Sequence, residues 1–144
     1  MRTRVTKRLT YSVLFIAMLA GMSAQAVAGE KEQAAQQSAD AWLVLVDSGK
    51  YVESWQQAAQ YFKNAVTKEK WEGAMHGTRE PLGKMLSRKL RSAQYTTSLP
   101  GAPDGEYVVI QYESSFEHKQ SAVETVTAML DKDGQWRVSG YFIK

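Results

Sequence analysis

Three helical periodicities followed by four strand-like segments predict an α+β domain. Its three N-terminal helices pack on a curved four-stranded antiparallel meander, a cone-like half barrel. Three observations carry this. Apolar residues recur at helical spacing as far as Leu82, and the period then drops to two. Turn-forming residues separate the strand segments at intervals too short for crossovers, so neighbouring strands pair antiparallel. Finally, 116 of the 144 residues remain once a leader is set aside, enough for a single core.

Residues 1–28 read as that leader. Arg2, Arg4, Lys7 and Arg8 form a positive n-region, and Leu9 to Met22 follow without a charge. Ala24-Gln25-Ala26 and Ala26-Val27-Ala28 are overlapping small-x-small motifs. That order is the pattern of a cleaved secretory signal peptide and places the mature chain in the periplasm or outside the cell. The apolar run falls short of the ~20 residues of a spanning helix, so no stable membrane anchor is expected after cleavage. A lipid anchor would need a cysteine after the run, and the chain has none. Removing the four cations leaves 14 Lys and Arg against 15 Asp and Glu, a net charge of −1 in place of +3. The basic balance therefore belongs to the leader, and no nucleic-acid partner is expected. Residues 29–144 form the single domain.

The first helix is predicted over 30–48. Ala35, Ala39, Trp42, Leu43 and Val46 make its apolar stripe, and Gly49 stops it. A second helix carries Tyr51, Trp55, Ala58, Ala59 and Phe62 at the same spacing, and the short link folds it back on the first. Thr67 caps a third helix, with Glu69 in its first turn and Trp71, Met75, Thr78 and Leu82 on one face. Pro81 breaks that helix near 77–81, leaving a helical tail to Ser87. Strands are predicted at 90–99, 106–116, 122–130 and 135–143. The connections are Pro100-Gly101-Ala102-Pro103-Asp104-Gly105, a short polar turn at 117–120, and Asp131-Lys132-Asp133-Gly134.

Several runs are distinctive. They are Ala39-Asp40-Ala41-Trp42-Leu43 through Tyr51-Val52-Glu53-Ser54-Trp55, then Ser87-Arg88-Lys89-Leu90, then Leu99 to Tyr107. The last runs from Glu124-Thr125-Val126 through Asp133-Gly134-Gln135-Trp136-Arg137-Val138-Ser139-Gly140-Tyr141. Together they resemble a bacterial family of small secreted proteins catalogued as domain of unknown function 4019, which implies no activity, cofactor or site residue. The closing Asp-x-Asp-Gly-x-Trp-x-Val pattern with Gly140-Tyr141 is similar, more loosely, to the cone-shaped fold of nuclear transport factor 2 and its SnoaL-like relatives. That likeness implies helices in the concavity of a curved sheet and a pocket between the two, on a fold that hosts many functions.

Catalytic patterns are sparse. His76 and His118 lie in different elements with no second ligand at i+3 or i+4, so no zinc site is expected, and neither has an evident orienting partner. Asp131-Lys132-Asp133-Gly134 resembles the start of a calcium loop, but position 12 is Phe142, not Glu. A hairpin turn is expected there, with no metal and no cofactor. Nucleophile-elbow and phosphate-loop patterns do not occur. Arg88, Lys89 and Arg91 read as a solvated strand start. Trp42, Trp55, Trp71 and Trp136 read as core, and Trp136 is placed on one strand face with Val138 and Phe142.

Glu124 stands out. By strand alternation it shares a face with Ala122, Val126, Ala128 and Leu130, the face expected to meet the helices. A carboxylate there would lose solvation, which raises its pKa and marks a functional candidate. With Trp42, Tyr112 and Trp136 it makes up the expected ligand pocket.

Two readings follow. One is a non-catalytic periplasmic binding or interaction module, with a small molecule, another periplasmic protein or a second copy of itself as partner. The other is a small cone-fold enzyme using Glu124 as general acid or base on a small molecule. A buried Glu124 at the mouth of an open cavity favours the enzyme, and a filled cavity favours the module.

Overall fold

The computed structural model describes the backbone from Ser23 to Lys144 and the side chains from Gly29 onward. The basic n-region and the apolar run to Met22 lie outside the described residues. Helix α1 spans Ser23–Asp47, longer at its start than the periodicity predicts, because Ala24, Ala26 and Ala28 are strong helix formers. Its predicted stripe is its buried face: Ala35, Ala39, Trp42, Leu43 and Val46 are all in the core. Gly49 ends the turn with φ 71°, in the left-handed region. This lets Gly49 N–H and Lys50 N–H reach back to the carbonyls of Val46 and Leu45.

The predicted second helix is two helices, α2 (Tyr51–Gln56) and α3 (Gln60–Ala65). Ala59 between them is extended, and its N–H donates to the carbonyl of Val138 at 2.8 Å. The small side chains of Ala58 and Ala59, both fully buried, let the backbone approach the sheet closely enough to exchange a helical bond for this one. Ser54 is the hub of this corner. Its carbonyl accepts from the Trp42 indole at 2.8 Å, its hydroxyl accepts from the Trp71 indole at 2.9 Å, and that hydroxyl donates to Tyr51 O at 2.7 Å.

Thr67 caps α4 (Lys68–Thr78) as predicted, its hydroxyl accepting from Lys70 N–H. A short 3₁₀ turn follows over Glu80–Leu82. The helical tail to Ser87 does not form. Gly83 takes φ 76°, ψ −157°, which reverses the chain, and β1 begins at Met85, not at Leu90. Leu82 and Lys84 then bond the β2–β3 turn through their carbonyls, which accept from His118 N–H and Glu117 N–H at 3.0 Å each.

The sheet is β1 (Met85–Thr96), β2 (Tyr107–Phe116), β3 (Lys119–Leu130) and β4 (Trp136–Ile143). Its order is β1-β2-β3-β4, antiparallel throughout and open. The predicted α+β meander is therefore the fold, with α1 lying across all four strands. Register shifts interrupt every strand pair, and such bulges bend and twist a sheet.

The shift in the β3–β4 pair corrects one expectation. Ala128 pairs with Val138 and Thr127 with Gly140, so one extra residue intervenes on β4. Trp136 and Val138 face the helices, but beyond the bulge it is Tyr141 that joins the core, while Phe142 is 51% exposed. Gly140 inside the strand is the sequence mark of that bulge.

Candidate functional site

Glu124 faces the helices, as its alternation predicts, and has 0% exposure. β-Pairing sets it opposite Tyr112 on one side and Ile143 on the other. Each strand then contributes a polar group to it. Arg88 on β1 donates from Nε to Oε1 at 2.7 Å and from Nη2 to Oε2 at 3.1 Å. Ser114 on β2 donates to Oε1 at 2.5 Å, and the Tyr141 hydroxyl on β4 donates to Oε2. Both carboxylate oxygens are thus doubly bonded, two of the four contacts coming from a cation.

The other edge of the Arg88 guanidinium meets the end of α1. Nη1 and Nη2 donate to the Asp47 carboxylate at 2.7 and 3.0 Å. Arg79, at the end of α4, donates to the same carboxylate at 3.2 Å and to the Gly83 carbonyl at 2.7 Å. Two guanidiniums and two carboxylates therefore form one chain from helix ends to sheet centre, with no net formal charge. Arg88 is only 12% exposed on its side chain and Arg79 only 3%. Burial alone would lower the pKa of the Arg88 guanidinium, but its bonds to Asp47 and Glu124 outweigh that and raise it. Burial pushes the Tyr141 phenol up, and the adjacent Glu124 carboxylate adds to the shift. The sequence expectation for Glu124 counted only the loss of water. The fold supplies a guanidinium and two hydroxyls in its place, the arrangement a buried anion requires.

Arg88 was the misread residue. The basic run is not all solvated: Lys89 and Arg91 are exposed, but Arg88 points inward. The signal was present in the sequence, since Arg88 and Leu90 lie two apart, and Arg79 extends the Trp71–Met75 stripe by one further step of four.

The four residues expected to form one pocket are dispersed. Tyr112 and Glu124 are register partners, and the Tyr112 hydroxyl donates to Asp40 at 2.5 Å. Burial pushes that phenol up, and the Asp40 bond adds to it. Trp42 reaches Glu124 only through Tyr141, on which it packs edge-on at 5.4 Å. Trp136 sits at the far end of the β3–β4 pair, opposite Leu130. Trp42 and Trp136 line a surface cleft of about 330 Å³ that includes neither Tyr112 nor Glu124.

Two further clefts flank the core. One, of about 380 Å³, lies between Asp47, Tyr51, His76, Arg79, Lys84 and Glu117. Here His76 does have orienting partners: Nδ1 contacts Glu80, and Nε2 stands 3.8 Å from Glu72. The spacing i±4 in one helix would have shown them. The Glu80 bond raises the His76 pKa, and both ring nitrogens face carboxylates. That geometry holds a proton; it does not leave a free nitrogen to accept one. His118 is exposed at the β2–β3 turn.

The largest cleft, about 740 Å³, runs between α2–α3 and the β3–β4 hairpin. Its helical wall carries Gln56, Gln57, Gln60, Tyr61 and Asn64, and its hairpin wall carries Asp131, Asp133 and Arg137. The acidic hairpin is a turn, as predicted. Arg137 bonds Asp131 at 3.0 Å and Asp133 at 2.8 Å through each of its two terminal nitrogens. That fork holds the Asp133 carboxyl down to about 2. Among the described residues no group of three or more His, Asp or Glu side chains is placed to hold a metal ion.

Helices laid over one face of an open antiparallel sheet, pinned by a charge-balanced cluster of buried residues, define an α+β domain whose clefts lie at its margins. The family model described as a protein of unknown function, DUF4019, matches residues 38–141, and the chain belongs to that family. A comparison with curated proteins finds no match.

Proposed function

We propose that the chain is exported and works as a non-catalytic binding module, with the groove between α2–α3 and the β3–β4 hairpin as its binding site. The observation that carries this is the enclosure of Glu124. Its oxygens are taken by Arg88, Ser114 and Tyr141, it has no exposure, and it lines none of the three clefts described above. An acid or base must reach the proton it moves. Glu124 instead ties the four strands to α1 and α4. The 740 Å³ groove is, by contrast, open and within the usual ~300–1,000 Å³ of ligand sites.

The leader pattern supports export. N-terminal sequencing of periplasmic material is expected to begin at Val27 or Gly29, and intact Met1 in the membrane fraction would refute it. Mass spectrometry of small molecules released from the periplasmic protein tests the binding role. A ligand retained by the native protein and lost from a groove variant supports it. An enzymatic turnover abolished by Glu124→Gln in a folded protein would overturn it.

A further inference from the structure

The groove's chemistry narrows what it takes. This step rests on the binding reading above. Its charges are largely self-satisfied: Arg137 is forked onto Asp133 and also holds Asp131, so the pair offers little field to an ionic ligand. The helical wall is instead built of carboxamides. Gln56, Gln57, Gln60 and Asn64 are all exposed, and Gln60 donates to Asn64 at 2.8 Å, which aligns those two heads along α3. A carboxamide carries both donors and an acceptor, the complement of a hydroxyl that is also both.

Aromatic surface accompanies the amides. Tyr61 is exposed at the groove, and its hydroxyl donates to the Gly101 carbonyl at 3.2 Å, which fixes the ring. The cleft lined by Trp42 and Trp136 shares Gln57 and Arg137 with the groove, so the two are continuous. Trp136 is held in place by Ser38, whose hydroxyl donates to its carbonyl at 2.6 Å. Aromatic faces at two positions, with carboxamides and a neutralised Arg–Asp fork between them, match a ligand with alternating C–H faces and hydroxyl edges.

We infer that the joined groove binds a neutral oligosaccharide, its sugar faces on Tyr61 and Trp136 and its hydroxyls on Gln57, Gln60 and Asn64. A peptide strand shares the affinity for amides but has no need of the two aromatic faces.

The test is a titration of the ¹⁵N-labelled protein with chitotetraose, cellotetraose and maltotetraose, and separately with tetra-alanine. Side-chain amide signals of Gln57 and Asn64 and the Trp136 indole signal are followed. At least one sugar is expected to move all three sets with a Kd in the micromolar to millimolar range. Tyr61→Ala and Gln57→Ala, both at exposed positions, are expected to weaken that Kd at least tenfold with an unchanged melting temperature. Three silent sugars at 10 mM would overturn the inference, as would shifts that persist in both variants. A response to tetra-alanine alone would overturn the sugar assignment while leaving the binding reading intact. The binding reading itself is judged by the small molecules released from the native protein.

Discussion

Replacing Arg88 with methionine removes the cation from Glu124 while keeping most of the apolar stem. Glu124 then remains fully buried, with only Ser114 and Tyr141 as donors. Asp47 keeps one guanidinium, from Arg79 at 3.2 Å. Stranding a buried charge in this way costs about 3–5 kcal/mol, roughly 10–20 °C in melting temperature for a domain of this size. Glu124→Gln is also expected to destabilise. Arg88 donates to both oxygens of Glu124, through Nε and through Nη2. Either orientation of the amide therefore sets an NH₂ against an Arg88 N–H, although Ser114 or Tyr141 can turn to accept. The double variant Arg88→Met/Glu124→Gln has neither stranded charge nor opposed donors. Its loss is expected to fall short of the sum of the single losses by about 1–3 kcal/mol. Urea unfolding of the four proteins at pH 7 measures the cycle. A loss under about 1 kcal/mol for Arg88→Met, or additivity within about 0.5 kcal/mol, would refute the clamp.

Other variants test the framework. Gly83→Ala would place a Cβ 3.0 Å from Glu117 Cβ and 3.1 Å from His118 Cδ2, at a backbone conformation nearly confined to glycine; a loss of at least about 2 kcal/mol is expected in urea. Phe142→Ala should change stability by less than about 0.5 kcal/mol, while partly buried Trp136→Ala should lose about 2 kcal/mol, short of the ~3–5 of a fully enclosed tryptophan; the reverse order would move the β4 bulge. The Lys31 bond lowers the Glu106 pKa, and the Tyr95 hydroxyl adds to that. The stability from this contact is therefore full above the unfolded value of about 4.3 and is lost as pH falls through the lowered folded value. Glu106→Gln should remove that part of the acid-induced decline, seen as a smaller drop in melting temperature between pH 5 and 3.

Legibility followed the period of the pattern. The α1 stripe and the Glu124 face could be read because a single uninterrupted period ran through each. The errors cluster where a backbone contact broke the period. Ala58 and Ala59 continue a helical stripe, but Ala59 bonds Val138 across to the sheet, a partner that no local spacing announces. Phe142 alternates correctly with Trp136 and Val138, yet the bulge before Tyr141 reverses the face, and Gly140 was its only local sign. The tail after Leu82 was read from the helix before it, whereas Gly83 and the β2–β3 turn set its course.

The site was half legible for a related reason. A buried carboxylate shows in one strand, but what it does depends on which charges other elements bring to it. Arg88 lies 36 residues from Glu124 in sequence and Asp47 lies 41 from Arg88. Read alone, Glu124 is a desolvated acid, hence a catalytic candidate. Joined to Arg88, Asp47 and Arg79 it is one end of a neutral chain of ions that fastens both helix termini to the sheet. The same argument moves attention outward. Once the buried carboxylate is committed to the fold, the polar groups left free to meet a ligand are those on the α2–α3 wall. The break at Ala59 matters here as well. It ends α2 and restarts the helix at Gln60, which places Gln56 and Gln57 on one short helix and Gln60, Tyr61 and Asn64 on the next, facing the hairpin together. A continuous helix over the same residues would have spread those amides around its circumference at about 100° per residue.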